Sequence, residues 1–194
     1  MGLDIKDLTM QEHKNAERQA FVRILMSGEI DVDLYCNYLW NQLNVYTKLE
    51  QYGLENSLFR HTPNLPRSEH ILYDFNSLWK HDEKPEVTES TKNYISHLET
   101  IRENPEKLYA HIYVRHMGDL SGGQMIRKST PGRDRYYRFK HKEVGEYGRI
   151  IKETINGYLN VYQHSVFPEA KMCFESATEL FKEMKVLHDL GKTS

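Results

Sequence analysis

The chain has 194 residues, enough for one domain with a substantial core and fewer than usually require a second. A formal net charge of −2 gives no global electrostatic reason to expect nucleic acid or an anionic membrane as the main partner. With 39% apolar and 28% charged residues the composition is that of a globular protein, and we expect a single domain over residues 1–194.

The two cysteines and the first residues bear on the compartment. Cys36 and Cys173 lie far apart in the sequence and in no metal-ligand spacing. The N-terminal stretch MGLDIKDLTMQEHK lacks the apolar core of a secretory signal peptide, and no run approaches the roughly 18 apolar residues of a membrane span. We therefore expect a cytoplasmic protein with no membrane attachment and no nucleic-acid partner.

Apolar residues recur at the three- and four-residue spacing of helices through nearly the whole chain, and strand-like alternation is hard to find. Pro105 and Pro168 each stand where a first helical turn would begin, and each is followed by a glutamate that suits a helix N-terminus. The fold class is therefore predicted to be all-α, a bundle of about seven helices. Their predicted bounds are 4–27, 32–53, 68–80, 88–102, 106–129, 143–162 and 168–190.

Three glycines interrupt the predicted helix 106–129, in the stretch HMGDLSGGQMIR. Inside a helix each costs about 1 kcal/mol relative to alanine. Gly118 and Gly122 are four residues apart, so they share a face and leave a strip of backbone without side chains. A flat ligand could lie against that strip, but close packing of another helix, or a kink, would use the same glycines.

Arg115 and Asp119 are also four residues apart on this helix, and their spacing predicts a charged pair beside the strip. Asp119 would then be near enough to organise water around a ligand on the strip without touching it. The alternative is a solvated ion pair with no role in binding.

A histidine in the first predicted helix is a candidate metal ligand. His13 precedes Glu17 by four residues, so Glu17 could accept the N–H of one ring nitrogen while the other binds a metal. Most isolated pairs of this kind are surface or core pairs without a ligand. A single imidazole facing a bare glycine strip nevertheless suits a planar metal macrocycle better than zinc, which takes three or four protein ligands.

Three segments carry a resemblance to a known family. YAHIYVRHMGDLSGGQMIRK (109–128) and HKNAERQAF (13–21) resemble the distal-helix and proximal-histidine signatures of the biliverdin-producing haem oxygenases, and FPEAKMCFESATELF (167–181) is similar to their last core helix. The likeness covers the whole chain in order, most loosely between 55 and 100, and is more similar to the soluble bacterial and algal type than to the anchored animal type. It implies a helical bundle with haem b held between the first helix and the distal helix.

The resemblance also implies roles for individual residues. His13 would be the axial ligand of the haem iron, with Glu17 as its hydrogen-bond partner. Catalysis would rest on Gly118 and Gly122, which let the backbone approach the haem, and on Asp119 and Arg115, which hold a distal water network. The remaining haem contacts are implied at the positions of the propionate-binding and pocket-wall residues: Lys6, Tyr113, Lys152, Arg149, Phe174 and Phe181.

The chain departs from the family pattern at a few positions. Met10 stands where a second lysine often precedes the histidine, which weakens the positive rim. His116 replaces the usual tyrosine and would alter either the distal water network or the packing. Gly148 falls where the family has a lysine of the propionate-binding pair, so Arg149 is taken as its substitute beside Lys152.

The implied reaction is the O₂-dependent cleavage of haem at a meso carbon, by default α, to biliverdin, CO and ferrous iron, with haem as both substrate and cofactor. The sequence has no flavin or nicotinamide fingerprint, so neither is expected to be bound and electrons must come from a partner. The basic residues from Arg127 to Lys142 could steer an acidic ferredoxin, although a solvated loop accounts for them equally well. A bilin reductase acting downstream is a further partner that the resemblance allows.

Three other functions remain open from the sequence. A haem-binding or haem-transfer protein would keep the pocket without oxidising its ligand. A thiaminase-like hydrolase on the same scaffold would need a nucleophilic cysteine, and neither Cys36 nor Cys173 has a nearby histidine motif. In a helical interaction module, Gly118 and Gly122 would be packing contacts only.

Overall fold

A computed structural model describes residues 4–191, and every regular element in that range is an α-helix. The all-α prediction is confirmed. The helices are α1 (Ile5–Leu8), α2 (Met10–Glu17), α3 (Ala20–Leu25), α4 (Val32–Glu55), α5 (Ser68–Leu78), α6 (Glu89–Thr100), α7 (Pro105–Leu120), α8 (Gly123–Ile126) and α9 (His141–Gly191).

Local capping signals set the starts of the three helices α4, α6 and α7. The Asp31 carboxylate accepts a hydrogen bond from the Leu34 N–H at 2.9 Å, and the Thr88 hydroxyl accepts one from the Thr91 N–H. Pro105 occupies the first turn of α7, where its missing N–H costs nothing. These starts lie within a residue of the predicted ones.

Two predicted helices are divided. The segment 4–27 forms α1, α2 and α3, because the Thr9 hydroxyl donates back to the Ile5 carbonyl at 2.8 Å and Gln19 adopts an extended backbone with ψ of 140°. The segment 106–129 stops at Leu120 and resumes as α8. There the Ser121 hydroxyl donates to the Met117 carbonyl at 2.6 Å, and the glycines that follow tolerate the bend.

Two other predicted helices are joined. The segments 143–162 and 168–190 are both parts of α9, which is interrupted by the non-helical backbone of Tyr162 (φ −123°, ψ 39°). Pro168 therefore lies inside the helix, and its prediction as a helix start is wrong. The chain regains helical geometry directly after Tyr162, so the helix is under way when it reaches the proline, which removes one backbone donor without ending it.

The long helix α9 is the element on which the others assemble. Helices α1, α2, α3 and α7 all pack against α9, and α4 packs against α5, α6 and α7. The core between them is rich in aliphatic and tyrosine side chains, among them Tyr35, Leu39, Leu49, Tyr94, Leu108, Ile151 and Leu159. None of the helices described between residues 4 and 191 combines the length and the apolar character needed to cross a membrane.

Candidate functional site

The three glycines of HMGDLSGGQMIR occupy different environments. A Cβ atom on Gly118 would meet nothing within 4 Å in the described chain beyond its own helix, and one on Gly122 would meet only the Gly118 carbonyl oxygen, at 3.5 Å. A Cβ on Gly123 would lie 2.6 Å from Cδ1 of Tyr137, so only glycine permits that approach. Gly118 and Gly122 therefore border open space, and no described helix packs onto Gly118.

His13 presents an accessible imidazole on α2, with 50% of its side chain exposed. Its Nε2 atom lies 3.4 Å from Oε1 of Glu17, and its ring meets Phe174 edge-on with centroids 5.7 Å apart. When one ring nitrogen donates to Glu17, the other keeps a lone pair that can bind a metal. The contacts with Glu17 and Phe174 thus orient the ring of His13, while half of its side chain stays exposed.

The start of α2 meets α7 at Tyr113. Burial, together with the Asp4 charge, raises the pKa of Tyr113 to about 12, and the neighbouring Thr9 hydroxyl acts in the opposite direction. His13 follows Thr9 by one turn on the same face of α2, and Gly118 follows Tyr113 by about one and a half turns of α7. Thr9 and Tyr113 therefore bring the start of α2 against α7, one turn before His13 on one helix and five residues before Gly118 on the other.

Asp119 and Arg115 are buried behind the strip, but they do not pair with each other. Asp119 accepts a hydrogen bond on Oδ2 from the Tyr46 hydroxyl at 2.7 Å. Arg115 donates to Oε1 of Gln42 at 3.1 Å and to the Tyr94 hydroxyl at 3.3 Å. The predicted ion pair is wrong because the spacing rule describes side chains free on a helix surface, whereas here α4 and α6 supply buried polar partners.

The carboxyl group of Asp119 titrates in an unusual range. Burial raises its pKa to about 6, an effect that the His116 charge, the Tyr46 hydrogen bond and the Arg67 charge only partly offset. A carboxyl group with such a pKa is mostly ionised at pH 7 but keeps a protonated fraction of roughly one tenth, far more than an ordinary aspartate. Its position beside open space therefore suits proton exchange with water.

Helix α4 supplies polar partners that the sequence does not predict. Gln42 donates through Nε2 to the hydroxyls of Tyr38 at 2.8 Å and Tyr136 at 3.2 Å, while Tyr46 holds Asp119. Residues 38, 42 and 46 are four apart and form one stripe of α4. The four-residue spacing of this stripe is visible in the sequence, but tyrosine at helical spacing is typical of an ordinary apolar core and does not signal a polar role.

His116, the position where the family usually has tyrosine, is fully buried. Its Nε2 lies 2.9 Å from Oε1 of Glu50, an oxygen that also accepts the backbone N–H of Arg67. The imidazole packs against the Tyr46 ring with centroids 5.1 Å apart. The histidine therefore acts on packing beside the polar network, and its influence on Asp119 is electrostatic.

Two exposed lysines lie on the α1 and α9 surfaces near the same junction. The Ile5 N–H donates to Oδ1 of Asn156 at 3.1 Å, which joins the start of α1 to α9. Lys6 adjoins Ile5, and Lys152 precedes Asn156 by one turn on the same face of α9. Both lysine side chains are exposed on these surfaces.

Arg149, the proposed substitute in the basic pair, is committed elsewhere. Its Nη1 lies 3.0 Å from Oε2 of Glu153 in an exposed pair one turn apart. At Gly148 a Cβ would lie 3.9 Å from Sδ of Met117, so α7 passes close to α9 there. Arg149 would have to leave Glu153 before it could bind an anion.

The two phenylalanines of the last helix have different surroundings. Phe174 contacts His13, as described above, whereas Phe181 stacks on Phe21 with centroids 6.0 Å apart and lies near Tyr38 in the core. Of this pair, only Phe174 adjoins the candidate ligand.

Known proteins resemble this chain along most of its length. The family model described as Heme oxygenase matches residues 2–183. A curated heme oxygenase from Guillardia theta is 35% identical over 66% of this chain and 57% of its own length, and one from Pyropia yezoensis is 26% identical over 93% and 84%. The chain thus spans little more than half the length of the first of these relatives.

Solved structures share the fold. Heme oxygenase-1 from the cyanobacterium Synechocystis sp. PCC6803, in complex with heme, superposes with a TM-score of 0.79 at 20% identity and covers 97% of this chain and 95% of its own. Heme oxygenase from Leptospira interrogans gives 0.77 at 28% identity over 92% and 97%. With a family match that runs through nearly the whole sequence, the chain belongs to the haem oxygenase family.

Proposed function

We propose that the protein is an active haem oxygenase that cleaves haem at a meso carbon to biliverdin, CO and ferrous iron, using O₂ and electrons from outside. Degradation of haem to biliverdin is the reaction for which the family is known. The observation that carries the proposal for this chain is the open space at Gly118 and Gly122, with the titratable carboxyl group of Asp119 directly behind it.

The residues fit haem as a substrate. A flat macrocycle with a central iron and two carboxylates needs one axial ligand, a floor without side chains and cations at one edge. Haem b would be held between α2 and α7, with His13 as the ligand of its iron, Glu17 as the partner of the other ring nitrogen, and Gly118 and Gly122 as the floor without side chains. Bound haem supplies the iron that activates O₂ and the ring carbon that is oxidised.

Asp119 and Arg115 act behind the strip. The Tyr46 hydroxyl holds Oδ2 of Asp119, and the Tyr136 hydroxyl is a second hydrogen-bonding neighbour of the carboxyl group. Oδ1 is the atom proposed to hold a water molecule and pass it a proton. Gln42 and Tyr94 hold the guanidinium of Arg115, which keeps a fixed positive charge beside this water. The bare backbone at Gly118 would leave room for O₂ beside a bound haem, where a side chain would displace it.

The orientation of the ring selects the carbon that is attacked. Lys6, Tyr113 and Lys152 are proposed to bind the propionates, which would present the α-meso carbon to the glycine strip. Arg149 joins them only if it exchanges Glu153 for a propionate. Phe174 walls the pocket beside His13, and Phe181 supports that wall from the core.

The electron donor is proposed to be an acidic ferredoxin that docks on the basic segment 127–142. Within it, Asp134 pairs with Arg127 at 2.9 Å and with Arg138, and Arg135 stacks on the Tyr73 ring with 3.5 Å from Cζ to the ring centroid. These contacts therefore reduce the positive charge that the segment can offer to an acidic ferredoxin. The ammonium of Lys140 also lies 3.9 Å from Oε1 of Glu143. The exposed side chains that remain for docking are Lys128, Arg133 and Lys142.

The proposal also covers the cellular compartment and the domain organisation of the protein. Cys36 and Cys173 are buried free thiols, which suits a reducing compartment, and we propose that the chain works in the cytoplasm as one domain over residues 1–194. No bound flavin or nicotinamide is proposed. A bilin reductase is the class of enzyme that would take the product.

A turnover assay tests the proposal. Purified protein is mixed with haemin, ferredoxin and its reductase in air, and the visible spectrum is followed. Decay of the Soret band with growth of a red bilin band is expected. A Soret band that forms and then persists through reduction would make the protein a haem carrier, and no spectral change on mixing would remove haem as its ligand.

An isosteric variant separates binding from turnover. Asp119→Asn keeps the side-chain shape and an oxygen for the Tyr46 hydroxyl but removes the exchangeable proton. Haem affinity is expected to match the wild type while the bilin yield collapses. An undiminished bilin yield would remove Asp119 from the reaction.

A further inference from the structure

Three potential metal ligands meet where α6, α7 and α9 come together. The Nε2 atoms of His97 and His111 lie 2.7 Å and 2.9 Å from the same oxygen, Oε2 of Glu169. All three ligand atoms fall within 4.8 Å of one another. Neither the haem site nor the distal polar network, as described above, uses His97 or Glu169.

We propose that His97, His111 and Glu169 form a binding site for a zinc-like divalent cation, with the fourth position open to water. Two imidazoles and one carboxylate are a ligand set that zinc accepts and that magnesium and calcium do not prefer. Zinc bonds of about 2.0–2.1 Å place tetrahedral ligands roughly 3.3 Å apart. The carboxylate oxygen needs to move only about half an ångström away from each imidazole nitrogen, which rotation of Glu169 can supply. The two imidazole nitrogens lie within 4.8 Å of each other, so a cation would draw them to a similar spacing.

The second ring nitrogen of His111 already has the partner that a metal ligand requires. Its Nδ1 lies 2.7 Å from the Tyr94 hydroxyl, which in turn lies 3.3 Å from Sγ of Cys173. Metal-bound histidines almost always have such an outer partner, because it fixes the tautomer and the ring orientation. His111 is fully buried and held on both sides, so its ring is pre-oriented toward Glu169.

Metal binding would reverse one hydrogen bond. In the absence of a cation, Nε2 of His111 donates to Glu169, so Nδ1 accepts a proton from the Tyr94 hydroxyl. With a cation on Nε2, Nδ1 carries the proton and donates to the Tyr94 oxygen, whose own hydrogen turns to Cys173. Tyr94 also accepts from Arg115, so the metal site and the distal polar network share this hydroxyl.

The exposure of His97 and the positive charge of Lys107 both bear on metal binding at this site. His97 has 29% of its side chain exposed, which gives an ion a route from solvent. The ammonium of Lys107 lies 4.0 Å from Oε1 of Glu169, and this positive charge opposes a bound cation. Removal of the Lys107 charge should therefore tighten metal binding, an effect that a purely structural cluster would not show.

The test is a zinc titration of the full chain without haem, in competition with a chromophoric chelator. One zinc per chain is expected. His97→Gln should weaken binding at least about tenfold, as loss of a ligand or its support does, and Lys107→Gln should strengthen it. The matched control is His81→Gln, because exposed His81 forms a comparable pair with Asp33 at 2.8 Å; its zinc affinity should equal that of the wild type.

Two results would overturn the site: no stoichiometric zinc uptake, or equal affinity in the wild type and His97→Gln. Cobalt gives an independent readout, since a four-coordinate ion should show strong visible absorption that His97→Gln abolishes. Circular dichroism of each variant establishes that it is folded. The experiment contains no haem, so its outcome is independent of the proposed oxygenase activity.

Discussion

Gly118→Ala should stabilise the protein while damaging its function. Gly118 lies in the last turn of α7, and an added Cβ would meet nothing within 4 Å beyond its own helix. Alanine is favoured over glycine by about 1 kcal/mol inside a helix, and the position near the helix end reduces this to about 0.5–1 kcal/mol. For a chain of this size the melting temperature should rise by about 1–4 °C.

The same methyl group would stand on the surface proposed to hold haem. It would lift the macrocycle from the backbone, so we expect weaker haem binding and a loss of bilin yield. The two effects are measured separately: thermal unfolding of the haem-free protein by circular dichroism, and haem titration at the Soret band followed by turnover with ferredoxin and its reductase.

Gly145→Ala is the matched control. Gly145 is a helical glycine of α9 whose added Cβ also meets nothing within 4 Å, so it should show a similar stabilisation with unchanged haem binding. Wild-type haem affinity and bilin yield in Gly118→Ala would refute the placement of haem on the strip. A destabilised Gly118→Ala would show that the space beside this glycine is not open.

Three further changes have defined outcomes. His13→Ala removes an exposed side chain, so the free energy of unfolding should change by less than about 0.5 kcal/mol while the Soret spectrum shifts and turnover is lost; retained turnover would exclude His13 as the axial ligand. The folded pKa of Asp119, about 6, lies above the ordinary 3.8, so the folded state holds a proton in that interval that the unfolded state has released, and stability is lost as the pH rises. In urea unfolding, the free energy of unfolding of Asp119→Asn relative to the wild type should therefore rise by up to about 3 kcal/mol between pH 3.8 and about 6. A difference that stays constant over this range would contradict the raised pKa. His116→Leu should cost about 3 kcal/mol in the same assay because the buried Glu50 loses a partner, and an added Glu50→Gln should recover part of it; no recovery would mean that cavity formation dominates.

Local signals made part of the fold predictable. Asp31, Thr88 and Pro105 mark helix starts by hydrogen bonds or geometry within one turn, so the sequence alone places them. The breaks at Thr9 and Ser121 involve hydroxyls that donate to the carbonyl four residues earlier. Whether a serine or threonine forms this bond depends on its tertiary surroundings, so the sequence alone does not predict the break. Pro168 misled the prediction because the actual break, at Tyr162, has no proline or glycine to mark it.

The candidate site also has a part that the sequence predicts and a part that it does not. The His13–Glu17 pair and the strip of Gly118 and Gly122 follow from four-residue spacing on single helices, which is sequence information. The hydrogen-bond partners of Asp119 and Arg115 come from α4 and α6, and long-range contacts of this kind leave no trace in local spacing. The ion pair between Arg115 and Asp119 was predicted wrongly because these long-range partners could not be seen in the sequence.

The central claim is that haem is held between one imidazole and a stretch of bare main chain. A crystal structure of the complex with haem tests it most directly. We predict that the iron is bonded to a ring nitrogen of His13 and that the opposite porphyrin face lies against the backbone of Gly118 and Gly122. Iron ligated by another residue, or a side chain standing between the porphyrin and those glycines, would contradict it.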